Sequence, residues 1–110
     1  MKPIVALGIG LTCFSLAANA DDADVEQLLD AKRCSGCHHM TEVLIGPPYV
    51  AIASRHAQSA RWQVEALAVK IIVGGAGNWG QVPMVPNEHV TLDEARAMAR
   101  WILGLAQASE

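Results

Sequence analysis

Residues 34–38 read Cys34-Ser35-Gly36-Cys37-His38. Two thiols stand three positions apart on what must be a tight turn, and an imidazole follows directly. Gly36 keeps the turn free of a side chain. The pattern is C-x-x-C-H, the attachment signature of c-type haem. Two thiols at this spacing can add to the two vinyl groups of one porphyrin, and the adjacent imidazole then lies under the ring and reaches iron. Three other readings compete. A structural zinc site needs four ligands. The chain offers His38, His39, His56 and His89 beside the cysteines, but no histidine pair at finger spacing. A thioredoxin-type pair wants a βαβ context, which the sequence does not supply. A disulfide closed within the motif would leave His38 unexplained. Covalent haem accounts for all three residues.

Upstream of the motif, residues 1–20 read as a secretory signal peptide. Lys2 is the only charge, Pro3 to Leu16 is almost wholly apolar, and Ala18-Asn19-Ala20 is an A-x-A cleavage site. The run is too short to span a bilayer comfortably, so no permanent membrane anchor is expected. An uncleaved N-terminal anchor is the competing reading. Acylation at Cys13 is disfavoured, because Gly10-Leu11-Thr12 does not look like a lipoprotein box. Cleavage after Ala20 would leave residues 21–110 as one domain.

The 110-residue chain carries 8 Lys and Arg against 11 Asp and Glu, a net charge of −3. Loss of Lys2 would leave seven against eleven, a net charge of −4. That balance argues against nucleic acid, which selects a basic face. Cleavage would also remove Cys13 and Phe14, so the only cysteines left are those of the motif. A small exported domain needs some staple. Without a long-range disulfide, a large cofactor in the core would supply the apolar bulk.

The rest of the sequence reads as helical, with no convincing alternating strand. Asp24 to Lys32 forms a short helix with Val25, Leu28 and Leu29 as its apolar stripe and Asp24 with Gln27 as a capping box. Thr41 to Pro47 is loop. Pro48 can occupy the first turn of a short helix through Tyr49, Ile52 and Ala53. A third helix begins near Gln58-Ser59. Its face is Val64, Leu67, Ala68, Ile71 and Ile72, and Gly74-Gly75 ends it. Thr91 caps a last helix with Glu94 as capping-box partner, and Ala95, Met98, Ile102 and Leu105 line its buried side. The run Lys70-Ile71-Ile72-Val73 is more apolar than a solvated helix end requires, which hints at extra burial or a contact surface.

Residues 74–90 are a Gly- and Pro-rich loop, long enough in so small a domain to suggest function. It bears on the second iron ligand, for which Met40, Met84, Met98, His39, His56 and His89 are candidates. Met98 sits on an apolar stripe and reads as core. Met40 and His39 are too near His38 to reach around a porphyrin. His56 and His89 read as surface residues. Met84 lies in Val82-Pro83-Met84-Val85-Pro86-Asn87, where two prolines stiffen the segment. Such a loop suits a soft thioether held against iron, although a methionine there could also fill a hydrophobic gap.

Taken together, the chain resembles the class I cytochromes c, of the small bacterial periplasmic type, from about Val25 to Leu105. The resemblance rests on the C-x-x-C-H motif, Gly46-Pro47, Trp79-Gly80, Pro83-Met84, Asn87 and Ala99-Arg100-Trp101-Ile102. It departs at Val85, where close relatives often carry proline. The resemblance implies an all-α cytochrome c fold of about four helices wrapped around one covalent haem c. It implies that the Pro47 carbonyl fixes the second nitrogen of His38, that Trp79 and Lys70 face a haem propionate, and that Asn87 orients the Met84 sulfur. It also implies an electron carrier rather than an enzyme, a monomer working in the periplasm. Its donor and acceptor would be redox proteins of a respiratory chain. A dedicated haem subunit of a reductase, oxidase or dehydrogenase, and a ligand-binding sensor with a labile sixth ligand, are the alternatives. Segments 35–36, 43–48 and 82–86, expected to frame the exposed haem edge, contain no charged residue. Lys32, Arg33, Arg55 and Arg61 fall in other segments, so the expected docking patch is apolar with little charge steering.

Overall fold

The computed structural model describes residues 1–6, 8–12 and 22–108. Residues 1–6 and 8–12 are exposed and form no helix or strand, and the expected cleavage site Ala18-Asn19-Ala20 lies outside the described residues. Four helices follow: α1 (Asp22–Ala31), α2 (Tyr49–Arg55), α3 (Ala60–Val73) and α4 (Leu92–Ala108), with a single 3-10 turn at Cys34–Gly36. Among the described residues there is no strand, only one isolated antiparallel bridge between Gly75 and Met84. No helix among them is long and apolar enough to cross a membrane.

Helix α1 begins at Asp22 rather than Asp24, so the expected Asp24–Gln27 capping pair falls inside the helix. Asp22 and Asp24 share the first turn, where carboxylates offset the positive end of the helix dipole. The chain leaves α1 through Arg33, which takes a left-handed φ of 68° and turns directly into Cys34. Pro48 stands one position earlier than expected. It is the extended residue before α2 (φ −66°, ψ 151°), where its missing N–H costs no helical bond.

In α3 the expected face is inward. Ala68 and Ile71 are buried, with Val64, Leu67 and Ile72 packed partly against the core. The helix is apolar elsewhere too, and Trp62, Val69 and Val73 remain exposed. Met98 is the large side chain at the centre of the core, wholly buried among Val25, Leu29, Tyr49, Ile52 and Ile102. Helix α4 is the common partner: α1, α2 and α3 all pack against it, and they make little contact with one another.

The start of α4 carries both bonds of a capping box. The Thr91 N–H donates to Glu94 Oε1 at 2.9 Å, and the Glu94 N–H donates to Thr91 Oγ1 at 3.2 Å. Lys32 Nζ adds an ion pair to Glu94 at 3.1 Å. The Thr91 backbone bond first, then Lys32, holds the Glu94 carboxyl below its ordinary value of 4.5. Thr91→Ala should cost about 1 kcal/mol in urea denaturation, the usual worth of an N-cap. Because the folded pKa is lowered, the Glu94 contribution is fully present above pH 4.5 and is lost as pH falls through the folded value. In Glu94→Gln the fall in stability below that pH should be shallower than in wild type.

Candidate functional site

The turn at Cys34–Gly36 is closed by the Cys37 and His38 N–H groups, which both donate to the Cys34 carbonyl at 3.1 and 3.0 Å. Both thiols are free and half-buried. Burial pushes the Cys34 thiol up. The next loop is stitched onto this turn: Gly46 N–H donates to the Cys37 carbonyl (2.7 Å) and Tyr49 N–H to the His39 carbonyl (2.9 Å).

The stitching places the Pro47 carbonyl 2.7 Å from His38 Nδ1. A carbonyl can only accept, so Nδ1 carries the proton and Nε2 keeps the lone pair. Gly46 makes this approach possible. A Cβ on Gly46 would stand 2.5 Å from His38 Cε1 and 2.9 Å from Nδ1, inside the imidazole. On its other side the His38 ring stacks on Tyr49, with centroids 5.7 Å apart. Tyr49 in turn meets Trp101 of α4 edge-on at 5.6 Å. The Tyr49 hydroxyl is buried without a hydrogen-bond partner among the described residues, and burial pushes its pKa up.

His38 lines a cavity of about 1080 Å³. Ligand pockets run from about 300 to 1,000 Å³, so this one suits a large group. All eight residues singled out in the sequence line it: Cys34, Cys37, His38, Pro47, Lys70, Trp79, Met84 and Asn87. Of the six candidates for a second iron ligand, two reach the cavity. Met84 and His56 line the cavity. Met98 is core, and Met40 and His39 line a different, smaller cavity beside Tyr49 and Trp101. His89 is exposed, with its ring nitrogen 3.0 Å from the Lys32 carbonyl.

The loop that carries Met84 is held by its backbone. Gly75 and Met84 exchange two hydrogen bonds, each 2.9 Å. Asn87 donates its N–H to the Ile72 carbonyl and its side-chain amide to the Ile71 carbonyl, both at 2.8 Å, with a longer contact to Val85. Those carbonyls belong to the last turn of α3, where a helix leaves them without internal partners. The Asn87 amide is therefore bonded to backbone, not to the Met84 sulfur.

The charged side chains lining the cavity are Arg33, Arg55 and Lys70, and no Asp or Glu joins them. In a chain with an excess of acids this is selective. The fold gathers here cations that the sequence scatters over three segments. An apolar cavity with two thiols, an oriented imidazole, a thioether and only cationic charge fits haem, an apolar disc with two carboxylates. Arg55 escaped the sequence reading. A basic residue in the last turn of a short helix is ordinary, and nothing local links it to a loop more than twenty residues on. In the structure its guanidinium lies 4.7 Å over the Trp79 ring and donates to the Asn78 carbonyl.

An all-α shell around such a cavity, with C-x-x-C-H on its wall, defines a c-type cytochrome. The chain belongs to the family of the small cytochromes c-551 and c-552. It is 39% identical to cytochrome c-551 of Pseudomonas aeruginosa over 103 residues, covering 94% of this chain and 97% of that one. It is 42% identical to cytochrome c-552 of Hydrogenobacter thermophilus over 80 residues, 73% of this chain and 80% of the other. The crystal structure of Nitrosomonas europaea cytochrome c552 superposes with a TM-score of 0.66 at 37% identity, covering 73% of this chain and 98% of that one. No family model matches the chain. These are electron-transfer proteins rather than enzymes, and the family implies covalently bound haem.

Proposed function

We propose that the chain is a periplasmic one-haem electron carrier, with haem c joined to Cys34 and Cys37 and the iron held between His38 Nε2 and the Met84 thioether. The observation that carries this reading is the convergence of all eight residues on one apolar cavity whose only charged side chains are cations. Haem supplies reversible one-electron Fe(III)/Fe(II) chemistry when bound. The chain supplies the rest. Pro47 orients His38 and raises its basicity. Met84 offers a soft ligand that favours Fe(II) and raises the potential. Lys70, Trp79 and Asn87 close the carboxylate side and the ligand loop, and Ile52 and Leu67 keep water out. With His38 and Met84 both holding the iron, dioxygen would find no open ligand position, and the chemistry would be outer-sphere electron transfer.

Partners would be redox proteins of a respiratory chain, met as a monomer. Val43, Leu44, Ile45, Val82 and Val85 are all exposed, and all but Leu44 line the cavity. They offer an apolar patch of the kind that suits a brief encounter of low buried area. A dedicated subunit of a larger redox complex is the second reading, favoured by the exposed Trp62 of α3, which lies outside the cavity. Stable co-purification with a larger enzyme would support it.

Export rests on residues 1–20 as a signal peptide. Intact-mass measurement of the exported protein should give residues 21–110 plus one haem. A mass equal to bare polypeptide after acid-acetone extraction would reject covalent attachment and the function with it.

A further inference from the structure

Arg55 combines three features. Its Cζ stands 4.7 Å over the Trp79 ring, its guanidinium donates to the Asn78 carbonyl, and all three residues line the cavity. These contacts join the end of α2 to the far bend of the Met84 loop, a bend closed by the Gly77 N–H on the Gly80 carbonyl at 2.8 Å. A guanidinium has five N–H donors, and most of these remain free. Among the described residues Arg55 makes no ion pair and no carboxylate lines the cavity. The Trp79 indole N–H likewise has no partner among the described residues, and the ring is half exposed. Two sets of unspent donors thus stand together at one edge of an apolar cavity.

We infer that Arg55 is a positioning residue of this site: it clamps Trp79 against the cavity edge and serves with Lys70 as a cationic partner of the cofactor's carboxylates. The inference rests on haem being the occupant. Its two parts depend on different properties of the side chain. Clamping needs a planar group that stacks on the indole and bonds the Asn78 carbonyl, which a lysine does poorly. Charge pairing needs only the positive charge. A cation here offsets the carboxylates, which would otherwise favour Fe(III), so losing it should lower the midpoint potential.

The test compares Arg55→Gln, Arg55→Lys and Arg61→Gln in the haem-loaded protein. Arg61 is an exposed cation that does not line the cavity, so its variant controls for loss of net charge. Two readouts are taken: the midpoint potential at low salt, and the NMR signal and hydrogen exchange of the Trp79 indole N–H in the reduced protein. Arg55→Gln should lower the potential by up to about tenfold in the ferric-to-ferrous ratio, which is ~59 mV for one electron, and should speed indole exchange. Arg55→Lys should keep most of the potential and still speed the exchange. Arg61→Gln should change neither. If Arg55→Gln matched Arg61→Gln in both readouts, or Arg55→Lys matched wild type in indole exchange, the role would be overturned. Absence of haem from the wild-type protein would instead overturn the reading on which it rests.

Discussion

Replacing Met84 with alanine should abolish the weak far-red sulfur-to-iron band of the oxidised protein, lower its midpoint potential and open the iron to added ligands, if Met84 is the ligand proposed above. Axial ligands move haem potentials over roughly 0.8 V, and loss of a thioether should shift the value by a sizeable part of that range. The loop itself should survive, because the bonds at this position are made by the Met84 backbone with Gly75 and not by its side chain. The substitution therefore removes the proposed ligand without removing its support. Met98→Leu is the control. Met98 is wholly buried in the core, and a swap of similar volume costs less than about 1.5 kcal/mol there. Band, potential and ligand affinity should stay as in wild type. Absorption and potentiometry decide the matter: if Met98→Leu produced the changes and Met84→Ala did not, the ligand assignment would be wrong.

Gly74→Ala should do nearly as much damage by a different route. Gly74 sits at φ +66°, ψ −151°, a region essentially closed to residues with a side chain. A Cβ there would lie 2.3 Å from the Met84 carbonyl oxygen and 2.9 Å from the Val85 carbonyl group, so backbone must move. Gly77 separates the two causes. It too has positive φ (106°), but a Cβ on it meets nothing within 4 Å. Gly77→Ala should lose about 1–3 kcal/mol from strain alone and keep the sulfur-to-iron band. Gly74→Ala should lose more, and the band should weaken well below the denaturant concentration that unfolds the helices. Parallel urea titrations followed by the band and by far-ultraviolet dichroism would show this. Coincident transitions in Gly74→Ala would mean that the loop and the fold fail together.

Much of the site was legible because its signals are local. Cys34, Cys37 and His38 act within five residues, and the spacing itself carries the chemistry. The separation of Met84, on the cavity wall, from Met98 in the core and Met40 elsewhere was also legible, from an apolar stripe in one case and nearness to His38 in the other. What escaped depends on where distant segments meet. Arg55 matters because a loop returns Asn78 and Trp79 to the end of α2. Asn87 was recognised as a loop residue of consequence, yet its bonds go to Ile71 and Ile72, whose carbonyls are orphaned by the end of α3. Helix starts were uncertain for a simpler reason. Asp22 and Asp24 are equally suited to a first turn, and nothing in the sequence favours the second.

The position of α4 has a consequence for the order of events in the life of the chain. Helices α1, α2 and α3 each rest on it and scarcely on one another, so without α4 these three lack the surface against which they pack. Isolated helices of seven to fourteen residues are marginal in water. Until α4 is made, α1, α2 and α3 should therefore stay largely unformed. If the chain is exported as proposed, late assembly would leave it slack enough to be threaded through a narrow channel and would leave Cys34 and Cys37 within reach of an attachment enzyme.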